Sequence, residues 1–386
     1  MSKRFLIIAA EASSVLYADQ LIKHWKNEKK NHSYFGIASK KMESEGFQCF
    51  GYAEDMAVMG FTEVIKHYNK IKNVYNKIIQ EIENNKPDIA LLIDYPGFNL
   101  KLSKELHQRN IPVVYYISPQ IWAWKKDRIK IIKSYVTKML VVFPFEEEFY
   151  KEHSVDVEYV GHPLIDELKP ELFDVELIEK RRHRLNINDK QKVLGLMPGS
   201  RIQEIERHLA IQLQTAEILQ KENSELKVLL LVAPTLSKEY IQNQLGQLNV
   251  PITLVQDEPF NMICLTDAIL AASGTATLMV GLLQVPMVIM YRMNWITAFV
   301  GRKIVKGFFG LVNILAKREV VPELFQGQAE PKRLAVLLKK SLYDDIYRHQ
   351  VKKDLTDLRN LFGPGGVTVR VAKSIESVLE RGQKNV

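Results

Sequence analysis

The chain has 386 residues, a net charge of +8, 46% hydrophobic residues and 25% charged residues. These values are typical of soluble globular proteins, and they exclude disordered, fibrous and small disulfide-stabilised classes. The length exceeds the size at which one hydrophobic core stops growing, so two or three domains are expected. The modest positive excess suits an anionic partner but does not distinguish a nucleotide, a phospholipid and a nucleic acid.

Two cysteines and two apolar stretches bear on the compartment. Cys49 and Cys264 lie far apart without metal-ligand spacing, which argues against a disulfide framework or a structural zinc site and fits a reducing compartment. The apolar run at 5–10 is too short for a signal peptide and ends at Glu11. Polar residues and Pro286 interrupt the stretch at 268–291, which therefore does not predict a membrane span. We expect a cytoplasmic protein with at most a peripheral attachment to the membrane.

Short apolar runs that end in turn residues alternate with stretches of helical periodicity, which is the pattern of βα units around a parallel sheet. The predicted strands of the first half are 5–9, 34–37, 89–93, 113–117, 139–142 and 158–160. Those of the second half are 193–197, 228–232, 252–255, 269–272 and 287–290. A basic amphipathic helix is predicted around 65–82.

These elements predict the α/β class, with two doubly wound Rossmann-like domains facing a central cleft and helices at the C-terminus. The charge-rich stretch after residue 165 is interpreted as the domain connection. We expect an N-terminal domain at 1–165, a second domain at 166–345, and C-terminal helices at 346–386 that pack back across the cleft. Ligands of such sheets bind at the carboxyl ends of the strands.

Two strand-to-helix turns in the second half could hold phosphate. Pro198-Gly199-Ser200-Arg201 combines a glycine, a helix start and a guanidinium, and Ser273-Gly274-Thr275 forms the second turn. Gly and Ser are also ordinary residues at helix starts, so an isolated turn of this kind carries little weight. Two of them, one with an arginine, leave a nucleotide diphosphate site and plain helix capping evenly balanced. Neither is a Walker loop or a dinucleotide fingerprint.

Two carboxylates follow strands of the first half. Asp94 ends the predicted strand at 89–93 and precedes Pro96, where it could act as a general base toward an alcohol. Glu11 ends the first strand and faces the same cleft. A loop-capping role for Asp94 and a helix-start role for Glu11 are the simpler alternatives.

Two further segments combine aromatic or basic residues with apolar ones. Trp122 and Trp124 lie beside a turn, where indole rings pack against sugars or acyl chains, or belong to the core. Residues 295–315 interleave basic and large apolar side chains, which suits a lipid-phosphate site or a buried helix with a solvated face.

The motifs, in order, resemble those of the lipid-A-disaccharide synthases, and the resemblance covers nearly the whole chain. They are Ala10-Glu11-Ala12-Ser13, Val58-Met59-Gly60-Phe61, Ile93-Asp94-Tyr95-Pro96-Gly97-Phe98-Asn99, Ser118-Pro119-Gln120-Ile121-Trp122-Ala123-Trp124, Phe143-Pro144-Phe145-Glu146, Val160-Gly161-His162-Pro163, Leu196-Met197-Pro198-Gly199-Ser200-Arg201, Ala272-Ser273-Gly274-Thr275-Ala276, Asn313-Ile314-Leu315-Ala316 and Pro322-Glu323-Leu324-Phe325-Gln326.

The resemblance implies an inverting glycosyltransferase with two Rossmann-like domains (GT-B) in lipid A biosynthesis. Its donor would be UDP-2,3-diacylglucosamine and its acceptor 2,3-diacylglucosamine 1-phosphate, giving the β-1,6-linked disaccharide 1-phosphate and UDP at the surface of the inner membrane. It implies neither a cofactor nor a metal, and a homodimer is compatible with it. By resemblance the catalytic residues are Asp94 and Glu11. The donor-binding residues are Gly199, Ser200, Arg201, Ser273, Gly274, Thr275, Asn313 and Gln326.

The sequence departs from the family pattern at several positions. Ser14 and Val15 replace a Gly-Asp pair in the first loop, and Met279 replaces a glutamate placed to bind ribose. Three interpretations stay open: a divergent active enzyme, a catalytically silent paralogue that binds nucleotide sugar or acylated lipid, and another enzyme that uses UDP-N-acetylglucosamine. Nucleic-acid binding is poorly supported, because the basic residues form no long cluster.

Overall fold

The computed structural model describes residues 2–56, 61–119, 121, 127–234, 236–245, 251–293 and 307–384; for 61–68 and 382–384 it describes the backbone alone. The chain forms two compact units. The first consists of Met1–Asp166 and Pro364–Val386, and the second is Glu167–Gly363.

The first unit contains a seven-stranded sheet in which every pair of neighbours is parallel. Its strands are β1 (Arg4–Ala9), β2 (Ser33–Ala38), β3 (Gln48–Tyr52), β4 (Ile89–Ile93), β5 (Val113–Tyr116), β6 (Lys138–Val141) and β7 (Val157–Tyr159). The spatial order is β3-β2-β1-β4-β5-β6-β7, so the direction of winding reverses between β1 and β4. The carboxyl ends at such a reversal are where doubly wound sheets bind ligands.

Helices cover this sheet, which explains why its central strands are apolar along their whole length. They are α1 (Ala12–Asn27), α2 (Lys40–Ser44), α3 (Ala53–Met56), α4 (Phe61–Asn84), α5 (Pro96–Gln108), α6 (Arg128–Tyr135) and α7 (Pro144–Glu152). Every residue of β4 is buried, as in strands covered on both faces. The predicted helix at 65–82 is confirmed as α4, whose Val74, Ile78 and Ile82 enter the core.

The second unit contains a six-stranded parallel sheet of the same winding. Its strands are β8 (Val193–Met197), β9 (Lys227–Leu231), β10 (Ile252–Val255), β11 (Ala268–Ala272), β12 (Met287–Tyr291) and β13 (Glu323–Phe325), in the spatial order β10-β9-β8-β11-β12-β13. Its helices are α8 (Val175–Arg184), α9 (Ile202–Glu222), α10 (Lys238–Leu245), α11 (Pro259–Ile263), α12 (Thr275–Leu282), α13 (Leu311–Ala316), α14 (Pro331–Tyr343) and α15 (Asp345–Asn360).

The last helix, α16 (Val367–Lys384), belongs to the first unit although it follows the whole of the second. The carboxylate of Asp166 accepts hydrogen bonds from the backbone N–H groups of Gly366, Val367 and Thr368 at 2.7, 3.1 and 3.0 Å. These are donors that a helix start leaves unpaired, so Asp166 fixes the beginning of α16. Further along, Glu376 accepts a hydrogen bond from the Trp25 indole at 3.0 Å, which joins α16 to α1.

The predicted fold class is confirmed: the chain is α/β, with two Rossmann-like sheets and C-terminal helices. All eleven predicted strands form, with ends that differ by a residue or less. The sequence prediction missed β3 and β13, which are the edge strands of the two sheets. Within the described residues, no helix is both long and apolar enough to cross a bilayer.

Candidate active site

The structure brings Glu11 and Asp94 together at the carboxyl edge of the first sheet. Their strands are neighbours, because β1 and β4 pair in parallel with Ala9 opposite Ile93. Asp94 is the first residue after β4, and Glu11 is the second after β1. Both side chains are half-buried, and the charge of Glu11 reaches Asp94 strongly enough to alter its titration.

The backbone holds Asp94 rigidly at this edge. Asp94 and Tyr95 both adopt left-handed conformations, with φ of 49° and 45°, and Pro96 then starts α5. The carbonyl of Asp94 accepts hydrogen bonds from the Asn99 amide at 2.7 Å and the Tyr115 hydroxyl at 2.6 Å. Non-glycine residues with positive φ are strained and collect at functional sites, where surrounding bonds hold them.

Burial, together with the charge of Glu11, raises the pKa of Asp94 to about 7, although a hydrogen bond from the Tyr95 backbone N–H opposes the shift. A carboxylate with an ordinary pKa is a weak base at neutral pH. With a pKa near 7, a substantial fraction of Asp94 is ionised at neutral pH, and the carboxylate binds a proton far more readily than an ordinary aspartate. This combination is the one that general-base catalysis requires.

Two features of this edge of the sheet were not predicted from the sequence. Ile117, just after β5, has a φ of 66°, which is a genuine outlier for a β-branched residue. In the first turn of α1, the fully buried hydroxyl of Ser14 has no hydrogen-bond partner among the described residues. Ser14 is one of the positions at which the chain departs from the family pattern, and buried polar groups are normally satisfied.

In the second unit, the turn after β8 already binds an anionic group. The Glu204 carboxylate accepts a hydrogen bond from the Ser200 backbone N–H at 2.8 Å, and its other oxygen lies 3.4 Å from the Arg201 guanidinium. A Cβ on Gly199, whose φ is 137°, would lie 2.4 Å from the Glu204 Cβ, so only glycine fits. The start of α9 and Arg201 thus surround the Glu204 carboxylate, and an N–H group and a positive charge at a helix start are also what phosphate-binding turns use.

His208 on the same helix ties this turn to the end of β12. Its Nδ1 lies 2.8 Å from the Pro198 carbonyl oxygen, and its Nε2 lies 3.0 Å from both the backbone nitrogen and the carbonyl oxygen of Arg292. Burial lowers the pKa of His208, so the ring stays neutral. Arg201, Glu204 and His208 are spaced three and four residues apart, so they lie on one face of the helix. This spacing is the sequence signal from which Glu204 and His208 could have been predicted as neighbours of the turn.

The sequence analysis also missed Arg292, at the end of β12. Its Nε donates to the Gln326 carbonyl at 3.2 Å and its Nη2 to the Ala329 carbonyl at 2.9 Å. The Gln326 amide donates to the Met293 carbonyl at 3.0 Å. The structure therefore places Gln326 beside Arg292, and His208 connects both to the Pro198–Arg201 turn.

The second predicted phosphate turn lies next to the first, because β8 and β11 pair with Met197 opposite Ala271. Gly274 and Thr275 are exposed at the start of α12, while the Ser273 hydroxyl donates to the Phe309 carbonyl at 3.3 Å. Met279 is half-buried one turn after Thr275. Residues one turn apart share a helix face, so Met279 lies on the side of α12 that Thr275 occupies.

Asn313 is fully buried, and both the oxygen and the nitrogen of its side-chain amide form hydrogen bonds within the protein. Its oxygen accepts from the backbone N–H groups of Val320 and Val321, and its nitrogen donates to the Val321 carbonyl and to Glu323, both at 2.7 Å. Glu323 in turn accepts from the backbone N–H groups of Phe309 and Gly310. The contacts of Asn313 thus stabilise the loop that reaches Ser273.

Several predicted features lie outside the described residues, namely Trp122, Trp124 and most of the basic and apolar segment, at 295–306. Within the residues that are described, no three His, Cys, Asp or Glu side chains come together as a metal site would require.

Known structures share this architecture at low sequence identity. UDP-GlcNAc 2-epimerase from Neisseria meningitidis, solved with UDP-GlcNAc bound, has a TM-score of 0.64 at 13% identity, and the match covers 98% of this chain and 100% of that one. The calicheamicin glycosyltransferase has a TM-score of 0.60 at 15% identity over 99% of each chain. These likenesses concern the fold alone.

Sequence relatives identify the family. "Lipid-A-disaccharide synthase" of Koribacter versatilis is 37% identical over 386 aligned residues, covering 98% of this chain and 99% of its own. The protein of the same name from Myxococcus xanthus is 35% identical over 381, covering 98% of both chains. A family model described as lipid-A-disaccharide synthetase matches residues 5–363. The chain therefore belongs to the lipid-A-disaccharide synthetase family.

Proposed function

We propose that this protein transfers the diacylglucosamine group of UDP-2,3-diacylglucosamine to the 6-hydroxyl of 2,3-diacylglucosamine 1-phosphate. The products are the β-1,6-linked disaccharide 1-phosphate and UDP. The family match over nearly the whole chain supports the overall reaction. The observation that carries the mechanism is the Asp94 carboxylate, held at the carboxyl edge of the first sheet with its pKa raised to about 7.

The proposed reaction is a single displacement with inversion. Asp94 accepts the proton of the acceptor 6-hydroxyl, and the oxygen attacks the anomeric carbon of the donor. The bond between that carbon and the diphosphate oxygen breaks, and UDP leaves with the electron pair. Glu11 has two roles in this proposal: its charge helps raise the pKa of Asp94, and it contributes to binding of the acceptor.

The second unit would hold the donor. Ser200 and Arg201 would bind the diphosphate with the N-terminus of α9, because a backbone N–H group and a guanidinium neutralise a departing diphosphate. Gly199 allows the close approach of the backbone, and Ser273, Gly274 and Thr275 form the neighbouring turn. In this proposal Asn313 acts indirectly through its loop, and Gln326 acts beside Arg292.

We also place the protein on the cytoplasmic face of the inner membrane as a peripheral protein. Helix α4 exposes Lys72 and Lys77 while Ile78 and Ile82 are buried, so its outer side is basic. Each such charge near an anionic surface adds about 1 kcal/mol of binding. Salt-sensitive binding to anionic vesicles would support the placement, and light scattering of the same sample would test for a homodimer.

The transfer is tested by incubating the purified protein with both acylated sugars in mixed micelles and measuring disaccharide and UDP. We expect both products in equal amounts with the wild type, and both at rates about 10²- to 10⁴-fold lower with Asp94→Asn. Binding of UDP without any disaccharide would instead indicate a silent binding protein. Conversion of UDP-N-acetylglucosamine without the acceptor would indicate another UDP-sugar enzyme.

A further inference from the structure

A groove with a volume of about 580 Å³ lies between α5 and α6 in the first unit. It begins at Pro96 and Gly97, the first residues of α5, and extends along both helices. Its lining residues are Pro96, Gly97, Leu100, Lys101, Lys104, Glu105, Arg128, Ile131 and Tyr135.

The charge of the groove is positive. Lys101, Lys104 and Arg128 line it, against Glu105 as the single lining carboxylate. Glu105 is itself paired with Arg109 at 2.8 Å. In the part of the chain that the structure describes, neither Lys101 nor Lys104 forms an ion pair with a carboxylate. Lys101 also lies over the Tyr75 ring, with its ammonium nitrogen 4.7 Å from the ring centroid.

The remaining surface suits the rest of an amphiphilic ligand. Leu100 and Ile131 provide apolar contacts, and Ile131 is 37% exposed. Nothing lies within 4 Å of where a Cβ on Gly97 would be, so there is free space beside this lining residue at the start of α5. The positive end of this 13-residue helix adds to the attraction for an anion.

The groove also adjoins the proposed base. Pro96 lies two residues after Asp94, so their Cα atoms are at most about 7.6 Å apart. In an acylated glucosamine 1-phosphate, the phosphate is on C1 and the 6-hydroxyl is on the carbon attached to C5. C1 and C5 both flank the ring oxygen, so the two groups are close neighbours on the same sugar. A ligand with its 6-hydroxyl at Asp94 would therefore direct its phosphate toward the neighbouring groove.

We propose that Lys101, Lys104 and Arg128 form the binding site for the phosphomonoester of the acylated sugar acceptor. This rests on the proposed function and assigns a place to one part of its substrate. The site would distinguish phosphorylated from unphosphorylated acceptors, because its three cationic side chains attract the phosphate and Glu105 is paired with Arg109.

The test compares two double variants. The groove variant carries Lys101→Ala and Lys104→Ala. The matched control carries Lys130→Ala and Lys133→Ala, which remove the same charge from exposed positions of α6 outside the groove. Each protein is assayed with 2,3-diacylglucosamine 1-phosphate and with the same sugar lacking the phosphate. We expect kcat/KM for the phosphorylated acceptor to fall about 10- to 100-fold in the groove variant, the range for losing charged hydrogen bonds. Its kcat/KM for the unphosphorylated sugar and its UDP affinity should stay unchanged.

Equal losses for both acceptors, or an equal loss in the control, would overturn the assignment. Lys104→Ala alone, which leaves the Lys101 and Tyr75 contact intact, provides a second variant if the double variant unfolds. Vesicles of phosphatidylglycerol separate the two sources of phosphate: loss of vesicle binding with an unchanged acceptor KM would assign the groove to membrane headgroups and overturn the proposal.

The failure of this inference is distinguishable from that of the proposed function. Binding of micellar 2,3-diacylglucosamine 1-phosphate is measured without any donor, so it does not depend on transfer. Weaker binding by the groove variant would support the site even in a protein that makes no disaccharide. Unchanged binding would refute the site even if transfer occurs.

Discussion

The carboxylate of Glu204 and the backbone N–H of Ser200 are hydrogen-bonded at 2.8 Å, at the turn proposed to hold the donor diphosphate. A diphosphate that uses this N–H must displace Glu204 and would be repelled by its charge. Glu204→Gln should therefore tighten UDP binding by about tenfold, which corresponds to ~1.4 kcal/mol. Calorimetric titration with UDP measures the effect, and Glu206→Gln, exposed on the same helix, is the control. Weaker binding by Glu204→Gln would mean that Glu204 chiefly orients Arg201.

Arg201 should contribute to both affinity and turnover, because its half-exposed guanidinium lies at the same turn. Arg201→Ala is expected to weaken UDP binding and to lower kcat together. Arg201→Lys should restore only part of each, since lysine lacks the planar fork that binds two phosphate oxygens. Arg207→Ala, also on α9, controls for the loss of one positive charge. Equal UDP affinities of the wild type and Arg201→Ala would remove Arg201 from the site.

The pH dependence of transfer should follow Asp94. Its carboxylate must be ionised to accept a proton, so kcat/KM should rise with pH around a midpoint near 7. The charge of Glu11 contributes to that high pKa, and Glu11→Gln should move the midpoint to lower pH. Burial is the larger cause of the shift, so the midpoint should stay above that of an ordinary aspartate. A midpoint unaffected by Glu11→Gln would contradict the coupling.

Asp94→Asn should lower turnover by about 10²- to 10⁴-fold and yet stabilise the protein at neutral pH. The folded protein binds this proton up to about pH 7, whereas the unfolded chain loses it near 3.8. The contribution of Asp94 to wild-type stability therefore falls as the pH rises from about 4 to 7, and asparagine removes that loss. Thermal unfolding at pH 4 and pH 8 should show a stabilising effect of the substitution at pH 8 that is much smaller at pH 4. A Tm difference independent of pH would contradict the raised pKa.

Met279 occupies a position where the family pattern has a carboxylate. A thioether does not accept strong hydrogen bonds from ribose hydroxyls, so Met279→Glu should tighten UDP binding about 10- to 100-fold, on the scale of ~1.4 kcal/mol per factor of ten. Met279→Gln, similar in size but uncharged, should recover less. Titration with UDP measures both, and an unchanged affinity would mean that Met279 is a packing residue.

The central strands of both sheets could be predicted because each is a continuous apolar run. Strand β3, by contrast, is an edge strand of partly exposed residues that includes Gly51. Strand β13 has three residues, of which only Leu324 is buried. Neither pattern differs from that of a loop, because an edge strand is stabilised by its neighbour rather than by burial of both faces.

The turns with Asp94 and Ser200 could likewise be located, since each follows a predicted strand directly. The side chains that contact those turns could not be predicted. His208 and Arg292 act through backbone carbonyls and amides that lie far away in sequence, and no spacing rule predicts such contacts. For Asn313 the sequence indicated a ligand contact, but its burial and its four hydrogen bonds within the protein give it a structural role.

The capping of α16 by Asp166 bears on how the protein is made. Residues 167–363 form the second unit from one continuous stretch, so a ribosome delivers all of it before α16 exists. The first unit begins synthesis earlier but is completed later, because the helix that covers α1 comes from its second segment. During that interval the strands of the first sheet have been synthesised, but the surface that α16 will cover is still exposed. Partly folded chains that expose such surfaces are the species that chaperones protect. The first unit therefore cannot complete its folding until α16 has been synthesised.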